Sequence, residues 1–315
     1  MRIVVALGGN ALLRRGEPVS MERQRARVAD ACARLAAIAS GNDLVVAHGN
    51  GPQIGLLALE AAALADGPVV PLDVLGAESQ GMIGYLLAQE LANVLPRERP
   101  VATLLTMVEV DPDDPAFGAP TKPIGPVYDD AQAEAVRAER GWVLRRDGDG
   151  WRRVVPSPAP LRSVEQRPIG WLLEHGCVVV CGGGGGVPVT CAPDGRYVGV
   201  EAVVDKDAAS ALLARDLGAD RCVMATDVDA VYLGFGTAAA RRVVAAHPDA
   251  LARHAAEFAA GSMGPKVDAA CMFARASGHP AVIGALDELD RLVEGAVGTR
   301  IATDVTDGLV VAPAD

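Results

Sequence analysis

Lysine is nearly absent from this chain. Of the 29 basic residues in 315, only Lys122, Lys206 and Lys266 are lysine; the rest are arginine. Arginine therefore serves wherever a generic positive charge is enough, and the three exceptions read as positions that need a compact ammonium. Such a point charge can follow a moving phosphoryl group, whereas a guanidinium is a wider, rigid fork. The settings agree with this: PTKPIGP, VVDKDAA and GSMGPKVDAA each place the lysine beside Gly, Pro or Asp. Three lysines in special local contexts point to a shared anionic ligand.

Other absences narrow the class. No CxxC motif or Cys/His cluster suggests zinc. The six cysteines, at 32, 177, 181, 191, 222 and 271, lie mostly in apolar runs and read as reduced core residues of a cytosolic protein. No long apolar span occurs, the opening MRIVVALGGN lacks a signal-peptide pattern, and no repeat of fixed period is evident. The net charge of −11 argues against general affinity for nucleic acid or anionic membrane, so any phosphate site must be local.

What is present is apolar, half of the residues, enough for one large α/β domain or two lobes. The chain centres on residues 177–207. CVVVC is a short β-branched strand that runs directly into five glycines, Gly182 to Gly186, and the stretch ends in Asp205-Lys206-Asp207 at the head of an alanine-rich helix. Glycines after a buried strand let a ligand approach the backbone, and consecutive N–H groups make an anion nest. Asp207, beside Lys206 at the helix start, reads as an orienter of lysines; its alternative role is a helix cap.

The same strand–glycine–helix unit recurs. Residues 3–7 read as a buried strand followed by Gly8-Gly9-Asn10, and residues 43–47 as a second, ending in His48-Gly49-Asn50-Gly51-Pro52-Gln53. Open α/β sheets place ligands at such carboxyl ends. His48 fits a structural or a catalytic role equally. Ser20 is the expected N-cap of a helix with Glu22 in its first turn and Val28, Cys32, Leu35 and Ala39 on its core face. Gly76, Gly81 and Gly84 suit close helix packing or a substrate wall. Residues 101–110 read as one further strand, broken by Asp111-Pro112; Asp113 and Asp114 read as turn acids rather than metal ligands.

From about 124 to 161 the character changes. RRDGDGWRRVV reads as a hairpin turning at 147–150, bracketed by proline-rich ends, with Lys122 at its root and Arg145, Arg146, Arg152 and Arg153 as solvent-facing decoration. Residues 221–226 form a strand ending in Asp227-Val228-Asp229; those carboxylates fit ribose hydroxyls, a metal or a turn cap. Pro265 is placed at the first position of the helix that bears Lys266, and a helix N-terminus with an ammonium is an anion site.

ALGGNAL, HGNGPQ, PLDVLGAESQGMIGY, VDPDDPAF, PTKPIGPVY, GWRRVVPSP, CGGGGGVPV, GVEAVVDKD, TDVDAVY and GSMGPKV, in this order, resemble the amino acid kinase family and, within it, its carbamate kinase branch, essentially end to end. The resemblance implies an α/β, open three-layer αβα sandwich. Its substrate lobe would span about 1–216, with a small protruding subdomain at about 118–162, and its nucleotide lobe about 217–315. It implies reversible phosphoryl transfer between ATP and carbamate, giving ADP and carbamoyl phosphate, in a cytoplasmic homodimer. Mg²⁺ would accompany the nucleotide, and no metal would be held by protein side chains.

The roles it implies are these. Lys122 and Lys206 flank the transferring group and Asp207 orients the lysines. Gly8, Gly9, Asn10, Gly49, Asn50 and Gly51 hold the substrate. Gly183, Gly184, Thr226, Asp227, Asp229, Tyr232, Met263, Gly264 and Lys266 hold the nucleotide. Relatives acting on acetylglutamate or glutamate carry a lysine just before the first glycine pair; here Ala6 and Leu7 stand there, and Lys122 matches the lysine that takes over that duty. The alternatives are another small-acid kinase of the family and a non-catalytic nucleotide-binding regulator on the same fold.

Overall fold

The computed structural model describes residues 1–9, 20–63, 70–259, 261–306 and 308–312. Its backbone is a mainly parallel sheet whose central strands are β1 (Arg2–Leu7), β2 (Asp43–His48), β9 (Val178–Val180) and β12 (Arg221–Thr226), in the order β12-β1-β2-β9. All three pairings among these four are parallel. Beyond β9 the sheet adds β3 (Val101–Thr103). Beyond β12 it adds β15 (Ala281–Ala285), then β16 (Thr299–Ile301), β14 (Arg241–Ala246) and β13 (Val231–Leu233), with β17 (Leu309–Val311) also on β14.

The continuous apolar strands are explained by burial on both faces. Side chains alternate across a strand, and β1 shows the consequence. Ile3, Val5 and Leu7 join a core with α1 (Met21–Ala39), α3 (Leu72–Val94) and α9 (Leu289–Glu294); Val4 and Ala6 join the opposite core, with α5 (Gln166–Glu174), α6 (Lys206–Asp216) and α8 (Met263–Ser277). The result is the expected three-layer αβα sandwich. In α1, Ser20 is the N-cap residue but its side chain makes no capping bond; Val28, Cys32, Leu35 and Ala39 are buried as their spacing required.

Four expectations are corrected. Residues 101–110 are two strands in different sheets: β3 ends at Thr103, and β4 (Met107–Val110) belongs to a sheet ordered β11-β10-β4-β8, with β8 Pro160–Ser163, β10 Val187–Cys191 and β11 Tyr197–Gly199. The excursion is more than a hairpin: β6 (Leu144–Asp147) and β7 (Gly150–Val155) turn as predicted, but β5 (Lys122–Tyr128) completes a three-stranded sheet, and α4 (Asp130–Arg140), with an Asp129–Gln132 capping box, packs on it. Arg152 and Arg153 are half-buried rather than decorative, because Arg152 bonds the Gly125 carbonyl and Asp147 while Arg153 stacks over Trp142, 4.1 Å from its ring centre. Cysteines 32, 177, 181, 222 and 271 are buried, but Cys191, on an edge strand, is exposed.

Two contacts seat the excursion on the body. Helix α2 (Gly51–Ala63) packs along β5, and a Cβ added at Gly55 would lie 2.2 Å from the Gly125 Cα. Backbone thus meets backbone there, at the root of the segment that carries Lys122.

Candidate active site

Four adjacent parallel strands deliver their following turns to one edge of the sheet. Strand β12 gives Thr226 and Asp227, β1 gives Gly8 and Gly9, β2 gives His48 to Gly51, and β9 gives the five glycines. The turns touch. The Gly8 N–H donates to the Ala225 carbonyl at 2.9 Å, and a Cβ at Gly49 would be 3.0 Å from the Gly9 nitrogen. Asn10 lies outside the described residues.

The glycine run packs on the β2 turn, and only glycine fits. At Gly184, φ is +64° and a Cβ would fall 2.1 Å from the Asn50 amide nitrogen; at Gly185, φ is +95° and a Cβ would fall 2.5 Å from the Val204 carbonyl oxygen. Asn50 cannot move aside freely, because its amide donates to Ser79 Oγ at 2.8 Å and Ser79 donates to the Gly76 carbonyl at 2.7 Å. Gln80 clamps Thr106 through two backbone bonds, and Thr106 Oγ1 accepts from the Gly182 N–H at 3.0 Å. Ser79, Gln80 and Thr106 therefore support the loop from α3 and the strand junction; sequence reading marked only the glycines of that helix.

His48 is 1% exposed. Burial, with the Lys206 charge adding to it, pushes its imidazole from 6.5 down to about 4, against the pull of the Gly49 carbonyl. It is neutral at pH 7. Its Nδ1 lies 3.1 Å from that carbonyl, which can only accept, so Nδ1 carries the proton.

The three lysines converge on two carboxylates at the N-terminus of α6. Lys206 bonds one oxygen of Asp207, and Lys266, from the first turn of α8, bonds the other at 3.0 Å. Lys122 crosses from the excursion to Asp205 Oδ2 at 2.6 Å. Asp207 is 3% exposed; burial alone would raise its carboxyl, but the Lys206 and Lys266 ammonium groups hold it down to about 2. Burial pushes Lys206 below the usual amine range despite the pull of Asp207. Asp207 pairs with two of the lysines rather than all three, and it is not the helix cap. Asp205 is the cap, accepting from the Asp207 and Ala208 N–H groups at 2.9 and 3.1 Å. Its position just ahead of Lys206 at a helix start was the available signal.

Helix α8 begins at Met263, so Pro265 is its third residue rather than its first, still in the turn whose N–H groups have no intrahelical partner. The Gly264 N–H donates to the Ala259 carbonyl at 2.9 Å. Lys266 joins this turn to Asp207. Asp229 and Tyr232 stand apart from the lysine cluster: the Tyr232 hydroxyl donates to Asp229 at 3.0 Å, and Arg242 pairs with the same carboxylate at 2.8 Å. Thr226 Oγ1 donates to Asp227 at 3.0 Å. Gln53, in the first turn of α2, is 2% exposed, and neither polar atom of its carboxamide has a hydrogen-bond partner among the described residues.

No group of three or more His, Cys, Asp or Glu side chains able to hold a metal ion occurs among the described residues. The carboxylates nearest the lysines, Asp205 and Asp207, are already paired with ammonium groups. A divalent cation that arrives with phosphates and keeps most of its waters needs no such group.

The amino acid kinase family profile matches residues 1–285. A carbamate kinase of Haemophilus influenzae is 55% identical over 309 residues, covering 98% of this chain and 99% of its own. One from Rhizobium meliloti is 52% identical over 309 residues, covering 98% and 95%. A solved structure titled carbamate kinase from Giardia lamblia bound to AMP-PNP superposes with a TM-score of 0.86 at 39% identity, covering 96% of this chain and 98% of that one.

Proposed function

This chain belongs to the amino acid kinase family, and from that premise we propose that it is a kinase transferring a phosphoryl group reversibly between ATP and carbamate, giving ADP and carbamoyl phosphate. One observation carries the reading most directly. Three lysines from three separate elements meet at the carboxyl edge of the sheet, on two carboxylates set two residues apart. Phosphoryl transfer asks little covalent chemistry of a protein; positioning and charge stabilisation dominate, and an array of ammonium groups supplies both.

The chain's own residues divide the work. The turns at Gly8, Gly9, Asn10, Gly49, Asn50 and Gly51 hold carbamate, and the buried Gln53 carboxamide offers the donor and acceptor that an amine-bearing carboxylate needs. Lys122 and Lys206 flank the phosphoryl in transit. Asp207 fixes Lys206 and Lys266, so that their charges are in place before the reaction. Lys266, Met263, Gly264 and the N–H groups of Gly183 and Gly184 hold the nucleotide phosphates. Thr226, Asp227, Asp229 and Tyr232 face the nucleoside. Mg²⁺, bound with the nucleotide, supplies further neutralisation of phosphate charge.

In this reading residues of about 1–216 form the substrate lobe, with the protruding subdomain at about 118–162, and about 217–315 form the nucleotide lobe. The protein works as a cytoplasmic homodimer; light scattering at about twice the 32.4 kDa chain mass is the expected result for the pair. The deciding experiment for the activity is ATP formation from ADP and carbamoyl phosphate. ATP is expected. Formation only with another acyl phosphate would make the protein a different small-acid kinase of the family. Nucleotide binding without turnover of any acyl phosphate would make it a regulator.

A further inference from the structure

Asp205 has two oxygens and two tasks. Oδ1 accepts the Asp207 and Ala208 N–H groups and so caps α6; Oδ2 takes the Lys122 ammonium at 2.6 Å. Lys122 opens β5 of the excursion, and α6 carries Lys206 and Asp207. One carboxylate therefore ties the excursion to the helix that presents the other two lysines. It cannot turn away from Lys122 without giving up the cap, so its geometry is fixed by the helix. The Lys122 and Asp205 side chains keep 31% and 21% of their exposure, so the pair is not sealed in the core. Among the described residues Asp205 is the one hydrogen-bond or ion-pair partner of the Lys122 ammonium. Burial works against the Asp205 charge, but the Lys122 ammonium more than offsets it, and the carboxyl lies below the usual range.

We propose that Asp205 is a positioning residue for the phosphoryl transfer, holding Lys122 at the α6 N-terminus until the transferring group takes the ammonium over. This rests on the phosphoryl-transfer reading above. The carboxylate touches neither substrate nor nucleotide; it acts through Lys122. Such an interaction governs how often Lys122 is in place when the group moves, so it belongs to kcat rather than to nucleotide binding.

Asp205→Asn separates the two tasks. Asparagine caps a helix about as well as aspartate, so its oxygen keeps the two N–H bonds, while its NH₂ now faces the Lys122 ammonium, donor against donor. The expected result is a melting temperature near the parent's, nucleotide KM within about twofold, and kcat lower by roughly ten- to a hundredfold. In a Lys122→Ala background the same change should cost nothing further. Parental kcat in Asp205→Asn, or fully additive losses in the double variant, would overturn the proposal. Should the parent itself form no ATP from ADP and carbamoyl phosphate, it is the functional reading that fails. The tether is then read without turnover, by amide hydrogen exchange across Lys122–Tyr128. Faster exchange in Asp205→Asn supports it, and unchanged exchange refutes it.

Discussion

At the residue scale, the lysines differ in what they hold and so in what their loss should cost. Lys122 is held at a partly buried carboxylate and is expected to meet the phosphoryl chiefly in the transition state. Lys122→Ala should lower kcat by roughly a hundredfold or more, the equivalent of about 2–4 kcal/mol, with nucleotide KM near parental. Lys122→Arg should restore little, because a guanidinium cannot occupy a point-charge position. Parental kcat in Lys122→Ala, measured by steady-state kinetics beside melting curves, would leave the residue a structural pin. Lys266 reaches Asp207 from a helix N-terminus suited to phosphate. Lys266→Ala is expected to raise the KM for ADP and ATP as well as to slow turnover, and an unchanged KM would remove it from the nucleotide.

His48 yields a pH prediction at the same scale. Its folded value of about 4 lies below the ordinary 6.5. Between those two values the unfolded chain takes up a proton that the folded chain refuses, so this residue weakens folding as the pH falls from about 6.5 towards 4. Urea midpoints measured across that window should fall more steeply in the parent than in His48→Gln. Parallel curves would assign the acid loss to other groups.

At the scale of elements, the excursion and α2 are joined where Gly55 meets Gly125, backbone against backbone. Neither side can rotate a side chain out of the way, so Gly55→Ala must push β5 off α2. Because β5 begins with Lys122, the displacement should appear in the chemistry: kcat falls by roughly tenfold or more while nucleotide KM holds, and hydrogen exchange in β5 quickens. Exchange and kcat both at parental values would show that the contact yields without consequence for the site.

At the scale of the whole molecule, the net charge of −11 coexists with three lysines gathered at one edge of the sheet. The positive potential is local, so the protein should select small anions over polyanionic surfaces. Calorimetric melting is expected to show this. ADP with Mg²⁺ at about 100 times its Kd should add about 2.7 kcal/mol of stability, whereas duplex DNA and anionic vesicles at physiological salt should leave the transition unchanged. Stabilisation by DNA equal to that by ADP would contradict a local site.

The sequence by itself determined the strands and the chemistry they end in. Apolar runs that lead into Gly8, Gly49 or Gly182 mark buried parallel strands and their ligand-side turns, because burial on both faces leaves no polar alternation and close backbone approach demands glycine. The scarcity of lysine singled out Lys122, Lys206 and Lys266 for the same kind of reason: a rare residue type stands where its particular shape is needed. What the tertiary structure alone decided is pairing. Lys122 and Asp205 are 83 residues apart, and Lys266 and Asp207 are 59 apart; no local pattern states which carboxylate meets which ammonium. That was settled by strand order, which brings four turns to one edge, and by the seating of β5 on α2, which aims Lys122 inward. The same physics divided residues 101–110 between two sheets and drew Arg152 and Arg153 onto partners within the excursion: apolar periodicity reports that a segment is buried, while the neighbours against which it is buried are fixed only when the layers pack.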